Sequence, residues 1–123
     1  MPLFTIRGIV VKNIGRGGDL GFPTANLRCL DEIPEGIYTG ETEVIGREGL
    51  LPSLVFIGKA LTFGAQERFT EVHILDFSDV LYGKELRVTA LQKIRDNQKF
   101  DTQDDLIAAM REDERIARKF FAT

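Results

Sequence analysis

Phe69-Thr70-Glu71-Val72-His73-Ile74-Leu75-Asp76-Phe77 is the stretch that decides the fold. Its β-branched residues and its alternation mark a strand. Val72, Ile74 and Asp76 are expected on one side, and Glu71, His73, Leu75 and Phe77 on the other. The segments around it read the same way. Residues 4–12 form a strand, with Gly8 marking a bulge or a close backbone approach. A short strand follows at 25–28, and residues 31–36, with Pro34 and Gly36, form a loop. Residues 37–45 and 50–57 pair through a hairpin turn at Gly46-Arg47-Glu48-Gly49. Pro52 sits near the start of the return strand, where a missing donor is tolerated. Residues 58–68 form a loop, 79–84 a turn and 85–94 a further strand.

The period changes near the end. Thr102, with Asp105 three residues later, reads as a capping box. Leu106, Ala109, Met110, Ile116, Ala117 and Phe120 recur at helical spacing, and Asp113 interrupts the stripe as a residue at the edge of a buried face. Five or six short strands and then one helix predict a mainly β fold, an antiparallel barrel or strongly curled sheet covered by the helix.

The 123 residues are expected to form a single domain, 1–123, with one core. A net charge of −3 argues against general nucleic-acid binding. The single cysteine, Cys29, reads as a small buried residue and suits the cytoplasm, since it has no internal partner for a disulfide. No signal-peptide pattern and no long apolar run is present, so no membrane association is expected. A monomer is expected.

The second informative stretch is Gly15-Arg16-Gly17-Gly18-Asp19-Leu20-Gly21-Phe22-Pro23-Thr24-Ala25-Asn26, which holds four of the twelve glycines. Such a run lets backbone N–H groups converge into a nest for phosphate. In extended chain, Thr24 and Asn26 project to the same side, and their oxygens suit a hard cation such as Mg²⁺. The stretch reads as a lid and clamp for a metal-bound nucleotide; a plain surface turn is the other reading. It matches neither the G-x-x-x-x-G-K-[ST] loop nor the dinucleotide fingerprint. Glu71, among largely apolar neighbours, is the candidate general base, or else a strand-end carboxylate in water. His73, the only histidine, reads as structural. Phe22, Phe56, Phe63, Phe69 and Tyr82 are candidates for ligand stacking or, more simply, for the core. Arg95, Lys99 and the acids between 101 and 114 read as a solvated rim and helix face.

Taken in order, these segments resemble the riboflavin kinase domain, the flavokinase found alone in eukaryotes and as the C-terminal half of bacterial bifunctional FAD synthases. The likeness rests on the glycine lid and on Leu20-Gly21-Phe22-Pro23-Thr24-Ala25-Asn26-Leu27. It continues through Gly36-Ile37-Tyr38, Pro52-Ser53-Leu54-Val55, Glu71-Val72-His73-Ile74-Leu75-Asp76-Phe77 and Leu81-Tyr82-Gly83-Lys84. It ends with Ile94-Arg95, Lys99-Phe100 and the helix carrying Asp113 and Ala117-Arg118.

The resemblance implies a six-stranded antiparallel Greek-key β-barrel with one C-terminal α-helix. It implies transfer of the ATP γ-phosphoryl group to the 5′-hydroxyl of riboflavin, giving FMN and ADP with Mg²⁺. Thr24 and Asn26 would hold the metal, and Glu71 would take the hydroxyl proton. Gly15, Gly17, Gly18, Gly21 and Pro23 belong to the nucleotide lid, and the segment from Arg95 to Phe100 helps enclose the flavin. The chain departs from the family pattern at Phe56, where Asn is usual, at Ala60-Leu61, and at Asn97, where an acid is common. No adenylyltransferase half is expected. A flavin- or nucleotide-binding barrel without turnover, and a purely structural barrel, are the alternative readings.

Overall fold

The computed structural model describes residues 2–11, 25–28, 33–59, 68–77, 81–98 and 100–122. In chain order the elements are β1 (Phe4–Ile9), β2 (Ala25–Arg28), β3 (Gly36–Val44), β4 (Leu51–Lys59), β5 (Arg68–Ile74), β6 (Glu85–Arg95) and α1 (Gln103–Phe121). Five strands of six to eleven residues carry the sheet, and the four-residue β2 forms one edge. The order across the sheet is β1-β6-β3-β4-β5-β2, and each adjacent pair is antiparallel.

The sheet curls until its two edges meet. A Cβ placed on Gly8 of β1 would lie 3.9 Å from Leu27 Cδ2 of β2. No ladder joins these edges among the described residues. The described residues thus form a half-barrel, the strongly curled sheet of the two forms expected from the sequence, with Leu27 beside Gly8 where the edges approach.

Both faces of the sheet are covered. Leu27, Val55, Val72, Ile74, Leu86 and Val88 pack inside the curl. On the outer face, α1 lies over β3 and β4, where Ile37, Leu54, Leu75 and Ala117 form a second cluster with Phe56 and Phe121. This double burial is why β3 reads as nearly continuous core, and why it carries polar residues only where they find partners. Thr42 Oγ1 and Ser53 Oγ lie 2.8 Å apart, and Ser53 Oγ donates to the Leu51 carbonyl at 2.8 Å. Tyr38 donates to the Pro34 carbonyl at 2.9 Å and meets Phe4 edge to face.

Several boundaries differ from the sequence reading. β5 stops at Ile74, and Asp76 turns into the left-handed region (φ 57°). Its carboxylate then accepts two hydrogen bonds from the Arg118 guanidinium, at 3.0 and 2.9 Å, which ties the end of β5 to α1. β1 is bounded at Ile9, and the Val10 amide carries the pairing one residue further by donating to the Lys84 carbonyl. Gly8 keeps regular register with Leu86 and is not bulged. The irregularity lies on β6 instead. The pairing passes from Ala90 to Gln92 and from Lys93 to Arg95, skipping Leu91 and Ile94. Such bulges bend a strand and re-aim the residues beyond them.

The helix start is as the spacing predicts: Thr102 Oγ1 accepts from the Asp105 amide at 3.1 Å. Met110, Asp113 and Ala117 are its buried residues. The stripe then passes to Phe121, leaving Phe120 at 37% exposure, because four residues past Ala117 return more closely to the same face than three.

Gly40 is the tightest point of the sheet. A Cβ there would lie 2.8 Å from the Thr89 carbonyl oxygen and 2.8 Å from Val55 Cγ2. Gly40→Ala is expected to destabilise the fold by about 1–3 kcal/mol through overpacking. A lower urea midpoint at unchanged slope is the measurement that checks it.

Candidate functional site

Register builds the site. Asn26 on β2 pairs with Glu71 on β5. Glu71 pairs with Phe56 on β4, Phe56 with Ile37 on β3, and Ile37 with Arg95 on β6. One transverse row thus crosses five strands on the face that carries α1. Neighbouring strands are about 4.8 Å apart, so Glu71 and Arg95 stand about 14 Å from each other along the row. Glu71 is half-buried, as is Phe56 beside it. His73, one step along the same face, is buried opposite Leu54.

At the far end of the row, the chain after β6 is tied down on two sides. The Arg95 guanidinium makes a bidentate pair with Asp113 of α1: Nε donates to Oδ1 at 2.9 Å and Nη2 to Oδ2 at 2.8 Å. Asp113 is 1% exposed and the Arg95 side chain 24%. Arg95 Nη1 also donates to the Asp96 carbonyl at 3.3 Å, and the guanidinium carbon lies 5.7 Å from the centre of the Phe100 ring. That distance is within cation–π range. Asn97 Nδ2 donates to the Ile57 carbonyl at 2.9 Å and to Glu35 Oε1 at 3.2 Å. A Cβ on Gly58 would come within 2.4 Å of that nitrogen, so the glycine is what admits it. Lys93 hydrogen-bonds Asp96 and holds its carboxyl below the ordinary range; Arg118 does the same for Asp76.

The residues singled out in the sequence fall into three groups. Glu71, Arg95 and Phe100 are described, and the row brings Glu71 and Arg95 onto one face. Asn26 is placed by its backbone, opposite Glu71. Gly15, Gly17, Gly18, Gly21, Pro23 and Thr24 lie outside the described residues, as do Phe22, Cys29, Ala60, Leu61, Phe63 and Lys99. Tyr82 is 66% exposed at the turn before β6, away from the core role considered for it. Arg95 is half-buried and not a fully solvated rim, and Asp113 is buried and not a stripe edge; the two are paired with each other. The signal in the sequence was Asp113 itself, at the centre of an apolar stripe where a carboxylate needs a cation.

Among the described residues no cluster of three His, Cys, Asp or Glu side chains could hold a metal ion. Of the two residues expected to hold Mg²⁺, Thr24 lies outside the described residues and Asn26 is placed by its backbone alone; a hydroxyl and an amide oxygen are donor types that suit that ion. Among the described residues no helix is long and apolar enough to cross a membrane.

Known proteins align with this arrangement. A family model described as Flavokinase, riboflavin kinase, matches residues 2–121. The bifunctional riboflavin kinase/FMN adenylyltransferase of Escherichia coli (strain K12) is 38% identical over 120 residues, covering 96% of this chain and 38% of that protein. A crystal structure titled as a macrolide-efflux protein from Streptococcus pneumoniae superposes with a TM-score of 0.80 at 38% identity, over 95% of this chain and 38% of that one. Riboflavin kinase from Trypanosoma brucei has the same fold, with a TM-score of 0.65 at 24% identity, over 98% of this chain and 80% of that one. The chain spans well under half the length of the curated relatives it matches.

The pair at the end of the row has a measurable weight. Arg95→Met strands the enclosed Asp113 carboxylate and is expected to lower the unfolding free energy by about 3–5 kcal/mol. Arg115→Ala, in an exposed pair with Glu112, is expected to change it by less than about 1 kcal/mol. Urea denaturation of the two variants beside the parent compares these losses.

Proposed function

The chain belongs to the riboflavin kinase family, and on that premise we propose that it transfers the γ-phosphoryl group of ATP to the 5′-hydroxyl of riboflavin, forming FMN and ADP. The observation that carries this reading is the pairing of Asn26 with Glu71. Residues directly opposed in an antiparallel ladder have Cβ atoms about 5 Å apart. A clamp residue for the nucleotide's metal and a base for the hydroxyl are thereby neighbours by backbone register alone.

In this reading Glu71 accepts the proton of the ribityl 5′-hydroxyl as its oxygen attacks the γ-phosphorus, and ADP leaves with the electron pair of the broken P–O bond. Thr24 and Asn26 would hold Mg²⁺, and the ion would supply charge neutralisation to the transferring group. Gly15, Gly17, Gly18, Gly21 and Pro23, which lie outside the described residues, are assigned to the nucleotide lid in this reading. In the same reading the reactive end of riboflavin lies at Glu71 and its ring end toward Arg95 and Phe100, while Ile37, buried under α1 with Ala117, belongs to the core and not to the substrate's path. Phe56, in place of the usual Asn, makes the side of the site next to Glu71 apolar. Closure of the curled sheet into a six-stranded Greek-key barrel, with its seam at Gly8 and Leu27, belongs to the same reading. So does a cytoplasmic location, which suits a lone thiol at Cys29.

Incubation with riboflavin, ATP and Mg²⁺ is expected to yield FMN, separable by chromatography, and EDTA is expected to stop its formation. Glu71→Gln keeps the shape and removes the base, so turnover is expected to fall by about 10²–10⁴-fold while the melting temperature stays near the parent's. Turnover by Glu71→Gln at the parent rate would remove Glu71 from the role.

A further inference from the structure

We propose that Asp113 is a positioning residue for the flavin end of the site, acting through Arg95. The inference rests on the riboflavin kinase reading above and deepens it. A single guanidinium joins three things. Its Nε and Nη2 grip Asp113 on α1, its Nη1 holds the Asp96 carbonyl, and it stands over the Phe100 ring. The helix, the backbone that leaves β6 and the aromatic residue beyond it are thus set by one side chain, whose own rotamer is set by Asp113.

An apolar pair would hold the helix to the sheet at least as well. Replacing a buried ion pair by packed hydrophobic residues is often neutral or stabilising. What the ion pair adds is direction, because a bidentate fork fixes a plane as well as a distance. Asn97 supplies the second anchor, with its amide donating to the Ile57 carbonyl and to Glu35 Oε1 above the bare backbone of Gly58. A carboxylate at that position has no proton to donate to either oxygen and faces the Glu35 charge. The segment from Arg95 to Asn97 is therefore held between α1 and β4 before any ligand arrives. A wall ordered in advance lowers the cost of binding the group it encloses. That wall is part of the segment assigned to the flavin in the reading above and lies four strands from Asn26 along the row, so its loss is expected to affect one substrate and spare the other.

The test compares Asp113→Asn and Asn97→Asp with Arg118→Ala, each in the full chain. Arg118 binds Asp76 and Glu114 and ties α1 to the end of β5 without touching the segment after β6. Initial rates of FMN formation give KM for riboflavin and for ATP, and quenching of riboflavin fluorescence gives its Kd. Asp113→Asn and Asn97→Asp are expected to raise KM and Kd for riboflavin by about tenfold, with KM for ATP within about twofold of the parent. Arg118→Ala is expected to leave both KM values within about twofold. If Asp113→Asn does not fold, Asp113→Glu, which keeps the charge and shifts the fork that grips Arg95, decides the role. An unchanged riboflavin KM in the folded variants, an equal rise in both KM values, or the same rise in Arg118→Ala overturns the positioning role. A parent that forms no FMN overturns the kinase reading itself, and the two failures are told apart by that control.

Discussion

The antiparallel register across β2, β5 and β4 is the constraint on which the rest depends. Side chains alternate with a period of two, so a slip of one residue would exchange the two faces of β5. Val72 and Ile74, both in the inner cluster, make that slip prohibitive. It would drive Glu71 into the space of Val72, among Leu27 and Val55, where an unpaired carboxylate is costly. The hydrophobic core therefore does more than stabilise the sheet. By fixing which residues of β5 point inward, it fixes Glu71 on the face shared with Phe56, Ile37 and Arg95, and opposite Asn26.

The second determinant is the way β6 arrives at that face. Its inward residues, Leu86, Val88 and Ala90, follow strict alternation. The two skipped positions, Leu91 and Ile94, then bend the strand and bring Arg95 into register with Ile37, within reach of Asp113. Thr102 starts α1 at a defined residue, and Met110, Asp113 and Ala117 form its buried line. The apolar members of that line hold the helix against the sheet. The charged one fixes its rotation and the path of the chain between β6 and the helix.

Much of this was legible in the residues. The alternation in β5, the glycines of the β3–β4 turn and the Thr102 cap are local signals, and the corresponding elements form within a few residues of where the pattern puts them. Gly46 and Gly49 do adopt positive φ. What the pattern could not show is set by pairs distant in sequence. The bulges on β6 depend on its partner β3, and Gly8, expected as a bulge or a close backbone approach, pairs regularly with Leu86 and has Leu27 at ordinary contact distance. Asp76 looked like a strand residue because nothing nearby announces Arg118, 42 positions on. The Arg95–Asp113 pair was visible only as an acid breaking an apolar stripe. Glu71 stood out because it is an acid on a largely apolar strand, but its opposition to Asn26 is a fact of strand order, which no single segment contains.

One row thus carries Asn26 paired with Glu71 at one end and the anchored Arg95 guanidinium, over the Phe100 ring, at the other. The most direct measurement is a crystal structure of the chain with ADP, Mg²⁺ and FMN bound. The account predicts a Glu71 carboxylate oxygen within about 3.2 Å of the ribityl 5′-oxygen, the metal beside Asn26, and the flavin ring against the segment from Arg95 to Phe100. Flavin bound inside the curl or against β1, with Glu71 turned away from the ribityl terminus, would contradict it.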